Sequence, residues 1–281
     1  MSAQLQLPDG IFAPGLFAGT TALVTGGGRG IGKAIALGFA RLGADVVIAS
    51  NEPQEMAETA PEVEATGAAC LQVDMNIREI ASVERLRDEA IARFGAVDFV
   101  INNAGGQFLS HPFKISDNGW RSVIDLNLNG TWNMCSRFMP HLMSRGRGSI
   151  VNIVHVFCFE RGAPMFAHSG AARAGVVNLT RSLAPYLEER NVTINALAPG
   201  TTVSPAAAAN YGLTEEEWRA QPSRARFADP EDMAAIALFL CSPAARMING
   251  AVIVADAAAT QFNWPLLDDL LDEVKGGGTT G

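Results

Sequence analysis

A glycine-rich segment near the start of the chain most constrains how this chain can fold. Residues 25–32 read TGGGRGIG; they complete the apolar run Ala22–Thr25 and open the helical pattern Ile31–Leu42. Glycines at such a strand-to-helix turn permit unusual backbone angles and let backbone N–H groups approach a pyrophosphate. The helix N-terminus adds positive potential and unpaired N–H donors. The segment therefore predicts a dinucleotide-binding βαβ unit.

The rest of the chain alternates short β-branched runs with longer helical patterns. This alternation predicts a parallel sheet with helices on both faces, which is a single-domain α/β Rossmann fold. The expected later strands are Asp45–Ala49, Ala69–Val73, Phe99–Asn102, Ser149–Val154, Thr193–Ala198 and Ala251–Val254. The expected later helices are Glu55–Thr66, Ile80–Phe94, Asn118–Met143, Ala171–Glu189 and Glu231–Leu240.

The alternation divides the chain into a central domain and two terminal segments. Residues 19–260 are interpreted as the dinucleotide-binding and catalytic domain, 1–18 as an N-terminal arm, and 261–281 as a C-terminal extension. Within the domain, residues 201–228 form a long insertion between a strand and a helix. Insertions of that length are usually functional, so we predict a lid over a site, with a short helix at Glu215–Arg219.

Charge and cysteine content narrow the partners that we expect. Asp and Glu outnumber Lys and Arg by 29 to 21, which argues against a nucleic-acid or anionic-membrane surface. The four cysteines are far apart and form no CxxC pair, so we predict neither a metal site nor a disulfide framework. The first residues lack the pattern of a secretory signal, and no apolar run reaches the roughly 20 residues of a membrane helix. We therefore expect a cytoplasmic protein that acts on a small molecule.

Further residues follow other strands of the predicted sheet. Asn102–Gly105 (NNAG) follow the fourth strand, where small residues leave room for a ligand at its carboxyl end. Asp74 follows the third strand, where its carboxylate could accept a hydrogen bond from an adenine amine or could simply cap a turn. Both interpretations of Asp74 stay open at this point.

Four motifs together resemble the short-chain dehydrogenase/reductase family. They are TGxxxGxG at 25–32, NNAG at 102–105, LNLNG at 126–130 and APG at 198–200, in the family's order and spacing. The resemblance covers roughly Gly19 to Asp256. It implies a doubly wound sheet of seven parallel strands, binding of NAD(P)(H) and assembly into a homodimer or homotetramer.

Shorter stretches are similar to the peroxisomal trans-2-enoyl-CoA reductases and their bacterial relatives. These stretches are APG at 13–15, GGQF at 105–108, HSGAARAG at 168–175, NYG at 210–212 and NWP at 263–265. The similarity implies an apolar substrate, acyl-CoA-linked or branched aliphatic. Gln107, Phe157 and, in the lid, Tyr211 are the candidate substrate contacts.

The sequence slightly favours NADP(H) over NAD(H). At the end of the second strand, Ser50 and Asn51 replace both the acid typical of NAD enzymes and the base typical of NADP enzymes. Arg29 could reach a 2′-phosphate, whereas Glu52 would repel one if it pointed inward. The candidate cofactor contacts are Thr25, Gly26, Gly28, Arg29, Gly30, Ile31, Gly32, Ser50, Asn51, Asp74, Met75, Asn103, Ala104, Gly105, Arg173, Pro199, Gly200 and Thr202.

The catalytic set that the resemblance implies is broken. The family uses Asn, Ser, Tyr and Lys; Asn127 stands at the Asn position and Arg173 at the Lys position. Counting back from Arg173 puts Ser169 at the Tyr position. Counting forward from the Ser position instead puts His155 there and His168 at the Tyr position. No Tyr is found by either count, so His155 and His168 become candidate proton carriers, although a lone His is more often structural than catalytic.

The missing Tyr affects the possible activities unequally. Enoyl reduction develops charge on a thioester oxygen, which needs hydrogen-bond donors more than proton transfer. We therefore predict first an NAD(P)(H)-dependent oxidoreductase acting on an apolar enoyl or carbonyl substrate. The alternatives are a carbonyl or alcohol dehydrogenase with His as acid/base, a lyase- or dehalogenase-like enzyme without hydride transfer, and a catalytically silent nucleotide-binding protein.

Overall fold

The central sheet carries seven parallel strands in the part of the chain that the structure describes. This computed structural model describes residues 11–158, 162, 164–204, 207–208, 212–221 and 226–261. The strands lie in the order β3-β2-β1-β4-β5-β6-β7. Their bounds are β1 Thr21–Thr25, β2 Asp45–Ser50, β3 Cys70–Asp74, β4 Phe99–Asn102, β5 Gly148–Ile153, β6 Val192–Pro199 and β7 Val252–Ala255. The single-domain Rossmann fold is thereby confirmed.

Helices cover both faces of the sheet. Their bounds are α1 Gly30–Arg41, α2 Pro53–Glu64, α3 Ile80–Phe94, α4 Asp117–Ile124, α5 Gly130–Arg145, α6 Ala167–Glu188, α7 Glu215–Arg219 and α8 Pro230–Cys241. One apolar layer joins α1 and α8 to one face of the sheet, and a second joins α3 and α5 to the other. In the described part of the chain, no helix combines the length and the apolar character that crossing a bilayer requires.

The helix predicted over Asn118–Met143 is present, but it is not a regular α-helix throughout. The structure instead has α4, a π-helical turn over Asp125–Asn129 and then α5. The side chain of Asn127, inside the π turn, donates hydrogen bonds to the backbone oxygens of Gly106 and Val123, both at 2.8 Å. Turns of this kind widen a helix locally and are frequent at functional sites.

Phe17 packs into the core although the sequence assigns it to the N-terminal arm. Its ring lies 4.9 Å from the Phe39 ring and 5.2 Å from the Phe99 ring, measured between centroids. Its backbone N–H also donates to the Leu42 oxygen at 2.9 Å. Residues just before β1 are therefore anchored to α1 and to the sheet.

The order of the strands decides where a ligand can sit. The chain winds outward from β1 to β3 on one side and from β4 to β7 on the other. In such sheets the loops after the central strands diverge and leave a crevice at the carboxyl ends. The glycine-rich loop after β1 and residues 103–107 after β4 lie on opposite sides of this crevice.

Candidate active site

A cavity of about 600 Å³ opens at the carboxyl ends of the strands. Its volume falls in the range of roughly 300–1,000 Å³ that is typical of small-molecule and cofactor sites. Most of the candidate residues from the sequence meet in its wall. They are Gly26, Arg29, Gly30, Ile31, Ser50, Asn51, Met75, Asn103, Ala104, Gly105, Gln107, His155, Phe157, Arg173, Pro199, Gly200 and Thr202.

The glycine-rich loop forms a cradle that suits a pyrophosphate. Gly26 and Gly30 have φ values of 62° and 52°, a region that side chains disfavour. Arg29 precedes α1 without making a side-chain capping bond, so the first-turn N–H groups stay available to an anion. The loop therefore fits the dinucleotide that the sequence predicts.

Three candidate cofactor residues shape this cradle from behind rather than lining it. Thr25 Oγ1 accepts hydrogen bonds from the backbone N–H groups of Asn103 and Ala104, at 3.0 and 2.9 Å. Gly28 faces α2, where an added Cβ would lie 2.8 Å from the Glu55 Cβ. Gly32 packs against the loop itself. These residues connect the β1 loop to the β4 loop and to α2.

Asp74 also lies outside the cavity wall. It is exposed at the end of β3, and its backbone oxygen accepts a hydrogen bond from Arg85 at 2.7 Å. The next residue, Met75, lines the cavity instead. The adenine contact of Asp74 thus gains no support from its position.

Positive and negative side chains are balanced at the end of the cavity nearest β2. Arg29 and Arg78 line this end together with Glu52 and Glu55. Arg29 forms an ion pair with Glu55 at 2.9 Å. Ser50 Oγ accepts a hydrogen bond from the Glu52 backbone N–H at 3.1 Å. The Arg29 charge is therefore compensated until Glu55 is displaced.

Asn127 uses the full hydrogen-bonding capacity of its amide nitrogen within the protein. Its two donor bonds go to Gly106 and Val123, and its Oδ1 accepts from the Gly106 backbone N–H at 3.2 Å. Both polar backbone groups of Gly106 are thus held by one side chain. Asn127 positions the loop that carries Gln107, and no donor remains for a substrate.

Arg173 places a half-buried positive charge in the cavity wall. Its Nη1 donates to the Ile153 oxygen at 2.6 Å, and no carboxylate among the described residues pairs with it. Its Nε has no hydrogen-bond partner in the described part of the chain. Burial lowers the pKa of the guanidinium to about 10, so Arg173 stays protonated at neutral pH. A charge held in this way suits ribose hydroxyls or an anionic oxygen.

Three polar side chains, those of His155, Ser169 and Gln107, form a hydrogen-bonded row beside the cavity that Arg173 lines. His155 Nε2 lies 3.2 Å from Ser169 Oγ, and Ser169 Oγ donates to Gln107 Oε1 at 2.6 Å. Ser169 and Arg173 lie one turn apart on α6. The sequence allows either Ser169 or His168 at the Tyr position. Ser169, given by the count back from Arg173, is the one that lies beside His155.

His168 does not join this group. It is fully buried, and its ring packs edge-on against Phe108 with centroids 4.4 Å apart. Neither ring nitrogen has a hydrogen-bond partner among the described residues. Desolvation lowers the pKa of His168, which keeps the ring neutral. Its surroundings are those of a packed aromatic side chain rather than a proton carrier.

His155 is also neutral under ordinary conditions. Burial, followed by the nearby Arg173 charge, lowers the pKa of His155 to about 3. General acid–base catalysis works best when the pKa lies near the working pH. A side chain that is already deprotonated at neutral pH does not donate a proton from an imidazolium.

This lowered pKa predicts how stability depends on pH. Between pH 6.5 and about pH 3 the unfolded chain binds a proton at residue 155 and the folded chain does not. The free energy of unfolding therefore falls as the pH falls through this window. We expect His155→Gln to flatten that decline, measured by urea unfolding at a series of pH values. His111→Gln, at an exposed site, serves as control; a His155→Gln curve parallel to that of the wild type would contradict the prediction.

Several residues that line the cavity were missed from the sequence. They are Asn76, Ile77, Arg78, Leu126, Ser204 and Trp218. Trp218 lies on α7, inside the predicted lid, and a large aromatic in such a segment is a signal that could have found it. The segment also pairs with itself, because Thr202 forms a β-bridge with Ala228. Tyr211 lies outside the described residues. In the part described, no cluster of three or more His, Cys, Asp or Glu side chains could hold a metal ion.

Comparison with known proteins assigns the chain to a family. Residues 26–260 match the family model described as enoyl-(acyl carrier protein) reductase. The chain belongs to the short-chain dehydrogenase/reductase family. It is accordingly an oxidoreductase of the short-chain dehydrogenase/reductase type, and members of this family bind NAD(P).

The named relatives of this short-chain dehydrogenase/reductase include reductases of acyl thioesters and a dehydrogenase of citronellol catabolism. It is 34% identical to a 3-oxoacyl-(acyl-carrier-protein) reductase of Staphylococcus aureus, over 83% of this chain and 95% of the relative. It is 32% identical to a peroxisomal 2,4-dienoyl-CoA reductase of Pongo abelii, over 89% and 86%. The solved citronellol catabolism dehydrogenase of Pseudomonas aeruginosa matches with a TM-score of 0.78 and 34% identity, over 89% and 99%.

Proposed function

We propose that this protein is an NAD(P)(H)-dependent reductase of apolar, acyl-thioester-linked enoyl substrates. One observation carries the proposal: a dinucleotide cradle lies in one cavity with a half-buried cation, Arg173, and a hydrogen-bonded row of neutral side chains takes the place of a Tyr–Lys pair. The neutral side chains are His155, Ser169 and Gln107. Such a site offers fixed positive charge and hydrogen-bond donors, but its described residues include no acid with a pKa near neutrality.

The demands of enoyl reduction fit these groups. A bound reduced nicotinamide would supply a hydride. With that hydride bonded to C3 of the enoyl group, the C2–C3 π pair would move toward C1 and the thioester oxygen would take the negative charge. Water then delivers a proton to C2, which restores the thioester carbonyl. Arg173 and hydrogen-bond donors in the wall stabilise the oxygen while it is charged.

The residues that would hold the cofactor follow from the site. The glycine-rich loop and the N-terminus of α1 would bind the pyrophosphate, and Arg173 would bind the hydroxyls of the nicotinamide ribose. Ile153, Leu126, Phe157 and Phe166 give the cavity beside them an apolar wall. This wall suits an acyl chain better than a polar sugar or amino acid.

A substrate panel tests the proposal. Purified protein with NADPH or NADH is mixed with trans-2-enoyl-CoA, 3-oxoacyl-CoA and terpenoid aldehyde substrates, and the loss of reduced-nicotinamide absorbance is followed. We expect the highest kcat/KM with an enoyl-CoA. Preference for 3-oxoacyl-CoA would support the second candidate, a carbonyl reductase, which the similarity to the staphylococcal enzyme favours. Cofactor binding without turnover of any substrate would contradict both.

For the cofactor we propose a modest preference for NADP(H). Arg29 and Arg78 can meet a 2′-phosphate beside the Ser50 and Asn51 donors, and Glu52 and Glu55 keep the preference small. We expect Arg29→Ala to weaken NADPH binding about 10-fold and to leave NADH binding nearly unchanged, since one partly exposed charged hydrogen bond is lost. Glu55→Gln, which frees Arg29, should strengthen NADPH binding.

Fluorescence titration of each variant with both cofactors checks this prediction. Lys33→Ala is the matched control, because Lys33 lies four residues after Arg29, in α1, and forms an ion pair with Glu62 away from the cavity. Tighter binding of NADH than NADPH by the wild type would contradict the preference. Equal losses for both cofactors in Arg29→Ala would contradict the role of Arg29.

We also infer a cytoplasmic homodimer or homotetramer. Trp120 on α4 and Trp132 on α5 are 42% and 44% exposed, and large exposed aromatic side chains are typical of subunit interfaces. Light scattering of the purified protein gives the mass that distinguishes a monomer from either assembly.

A further inference from the structure

We propose that the side-chain amide nitrogen of Gln107 donates the hydrogen bond that stabilises the substrate oxygen, with Ser169 and His155 as positioning residues. This inference rests on the proposed enoyl-thioester function and deepens it. It assigns the role that a Tyr hydroxyl would have to a carboxamide, which carries no ionisable proton.

The direction of the hydrogen bonds begins at the backbone. The Phe157 N–H donates to His155 Nδ1 at 3.1 Å. A backbone N–H can only donate, so Nδ1 must be the acceptor and the single proton of the neutral ring lies on Nε2. His155 Nε2–H then donates to Ser169 Oγ, 3.2 Å away.

The same logic fixes the orientation of the Gln107 amide. Ser169 Oγ accepts from His155, so its one hydrogen is free for Gln107 Oε1 at 2.6 Å. The oxygen of the amide therefore faces Ser169, and its NH₂ group is directed away from it. No described residue accepts a hydrogen bond from that NH₂ group, and Gln107 lines the cavity. Two donor hydrogens are thus offered to a ligand.

The side chain of Gln107 is itself exposed, but the buried Ser169 holds its oxygen end in place. Ser169 is fully buried and does not reach the cavity, so its contribution passes through Gln107. Asn127 holds the preceding residue, Gly106, by both of its polar backbone groups. A donor that is oriented in advance needs no reorganisation when negative charge develops, which is the condition for strong stabilisation of an oxyanion.

Among the residues that the structure describes, the other ionisable groups near these three side chains do not compete with Gln107 as donors of a proton. They are Arg173, which stays charged at neutral pH, and Cys158, whose Sγ donates to the His155 oxygen at 2.8 Å. Burial raises the pKa of the Cys158 thiol. Glu52 and Glu55 line the opposite end of the cavity. Gln107 and Arg173 are therefore the donors that face the reacting end.

Gln107→Glu gives the sharpest test. The carboxylate can still accept from Ser169, but it cannot donate while it is ionised. We expect kcat for enoyl-CoA to fall by about 100-fold at neutral pH, the effect of removing one oxyanion donor. Activity should return as the pH falls and the carboxyl group becomes protonated. Gln107→Ala should lose activity at every pH, and exposed Gln72→Glu on β3 should behave as the wild type.

Two further measurements separate positioning from direct contact. Ser169→Ala should lower kcat by about 10-fold and have no further effect in a Gln107→Ala background, because both changes remove one interaction. Raman spectra of bound enoyl-CoA should show the thioester carbonyl stretch shifted to lower frequency in the wild type and less so in Gln107→Ala. Unchanged cofactor titrations confirm that each variant is folded.

Different results would contradict the role of Gln107 and the proposed function. Wild-type kcat and an unshifted pH profile in Gln107→Glu would overturn the role of Gln107 and leave the proposed function intact. Additive losses in the Ser169→Ala, Gln107→Ala double variant would overturn the positioning role of Ser169. A wild-type protein that binds NAD(P)H but reduces no acyl thioester would overturn the proposed function, and this inference with it.

Discussion

A Gly32→Ala variant is expected to lose measurable binding of the dinucleotide. Gly32 lies in the first turn of α1, and an added Cβ would sit 2.1 Å from the Gly26 oxygen and 2.5 Å from Asn103 Nδ2. The Gly26 oxygen belongs to the backbone of the cradle, so it cannot rotate away. Asn103 lies in the β4 loop that packs against the cradle. The turn must therefore open, and we expect the Kd for NADPH to rise more than about 100-fold, since about 1.4 kcal/mol of lost binding corresponds to each factor of ten.

Fluorescence titration of NADPH with the variant and the wild type measures this loss. Gly162→Ala is the control, because a Cβ at Gly162 meets no atom of the described residues within 4 Å. Circular dichroism establishes whether the variant keeps the fold. A folded Gly32→Ala protein that binds NADPH as tightly as the wild type would contradict the placement of the pyrophosphate at this loop.

An Asp98→Ala variant is expected to lose about 3 kcal/mol of stability. Asp98 is buried just before β4, and its Oδ1 accepts from Arg145 and Arg147, each at 3.0 Å. Its Oδ2 accepts from the Thr21 backbone N–H at 3.1 Å. Removing the carboxylate leaves a partly buried arginine and the first N–H of β1 without their partner, which costs about 3–5 kcal/mol in buried pairs. The exposure of Arg147 places the expectation at the lower end.

Urea unfolding of Asp98→Ala and Asp98→Asn measures this effect. The Asn variant keeps one acceptor oxygen and should lose less. Asp88→Ala is the matched control, because Asp88 and Arg87 form an exposed ion pair, and such pairs contribute roughly 0–1 kcal/mol. Equal losses in Asp98→Ala and Asp88→Ala would show that the buried carboxylate does not stabilise the protein by joining β1 to the end of α5 and to Arg147.

The strands and the cradle were predictable because their signals are local. Phe99–Asn102 and Ile80–Phe94 have the bounds that the sequence indicates, since a buried parallel strand is a short apolar run and a surface helix has a periodic apolar face. The positions of Gly26 and Gly30 could be predicted because few residues other than glycine adopt their backbone angles. These features depend on neighbours within a few positions along the chain.

The catalytic end depends on contacts between distant segments and was predicted less well. The apolar spacing continues through Asp125–Asn129, so the π turn could not be recognised without the contact between Asn127 and Gly106. The choice between His168 and Ser169 depends on where α6 begins relative to His155. The low pKa of His155 requires knowing that α6 brings Arg173 near it. None of these facts is local to the residue concerned.

The pairing of Arg29 with Glu55 is a further example. The sequence favours an Arg29 that is free to meet a 2′-phosphate, and α2 brings Glu55 within 2.9 Å of it. The two residues are far apart in sequence, so no motif relates them. The cofactor preference therefore depends on how well a 2′-phosphate competes with Glu55 for Arg29.

Transfer of deuterium from the cofactor tests the central claim most directly. NADPH labelled with deuterium at nicotinamide C4, on one face and then on the other, is incubated with the protein and trans-2-enoyl-CoA, and the acyl product is analysed by mass spectrometry. The account predicts a saturated acyl-CoA with one deuterium at C3 from one labelled isomer and none from the other. Saturated product without label from either isomer, or an altered acyl product formed without consumption of NADPH, would contradict hydride transfer and with it the proposed function.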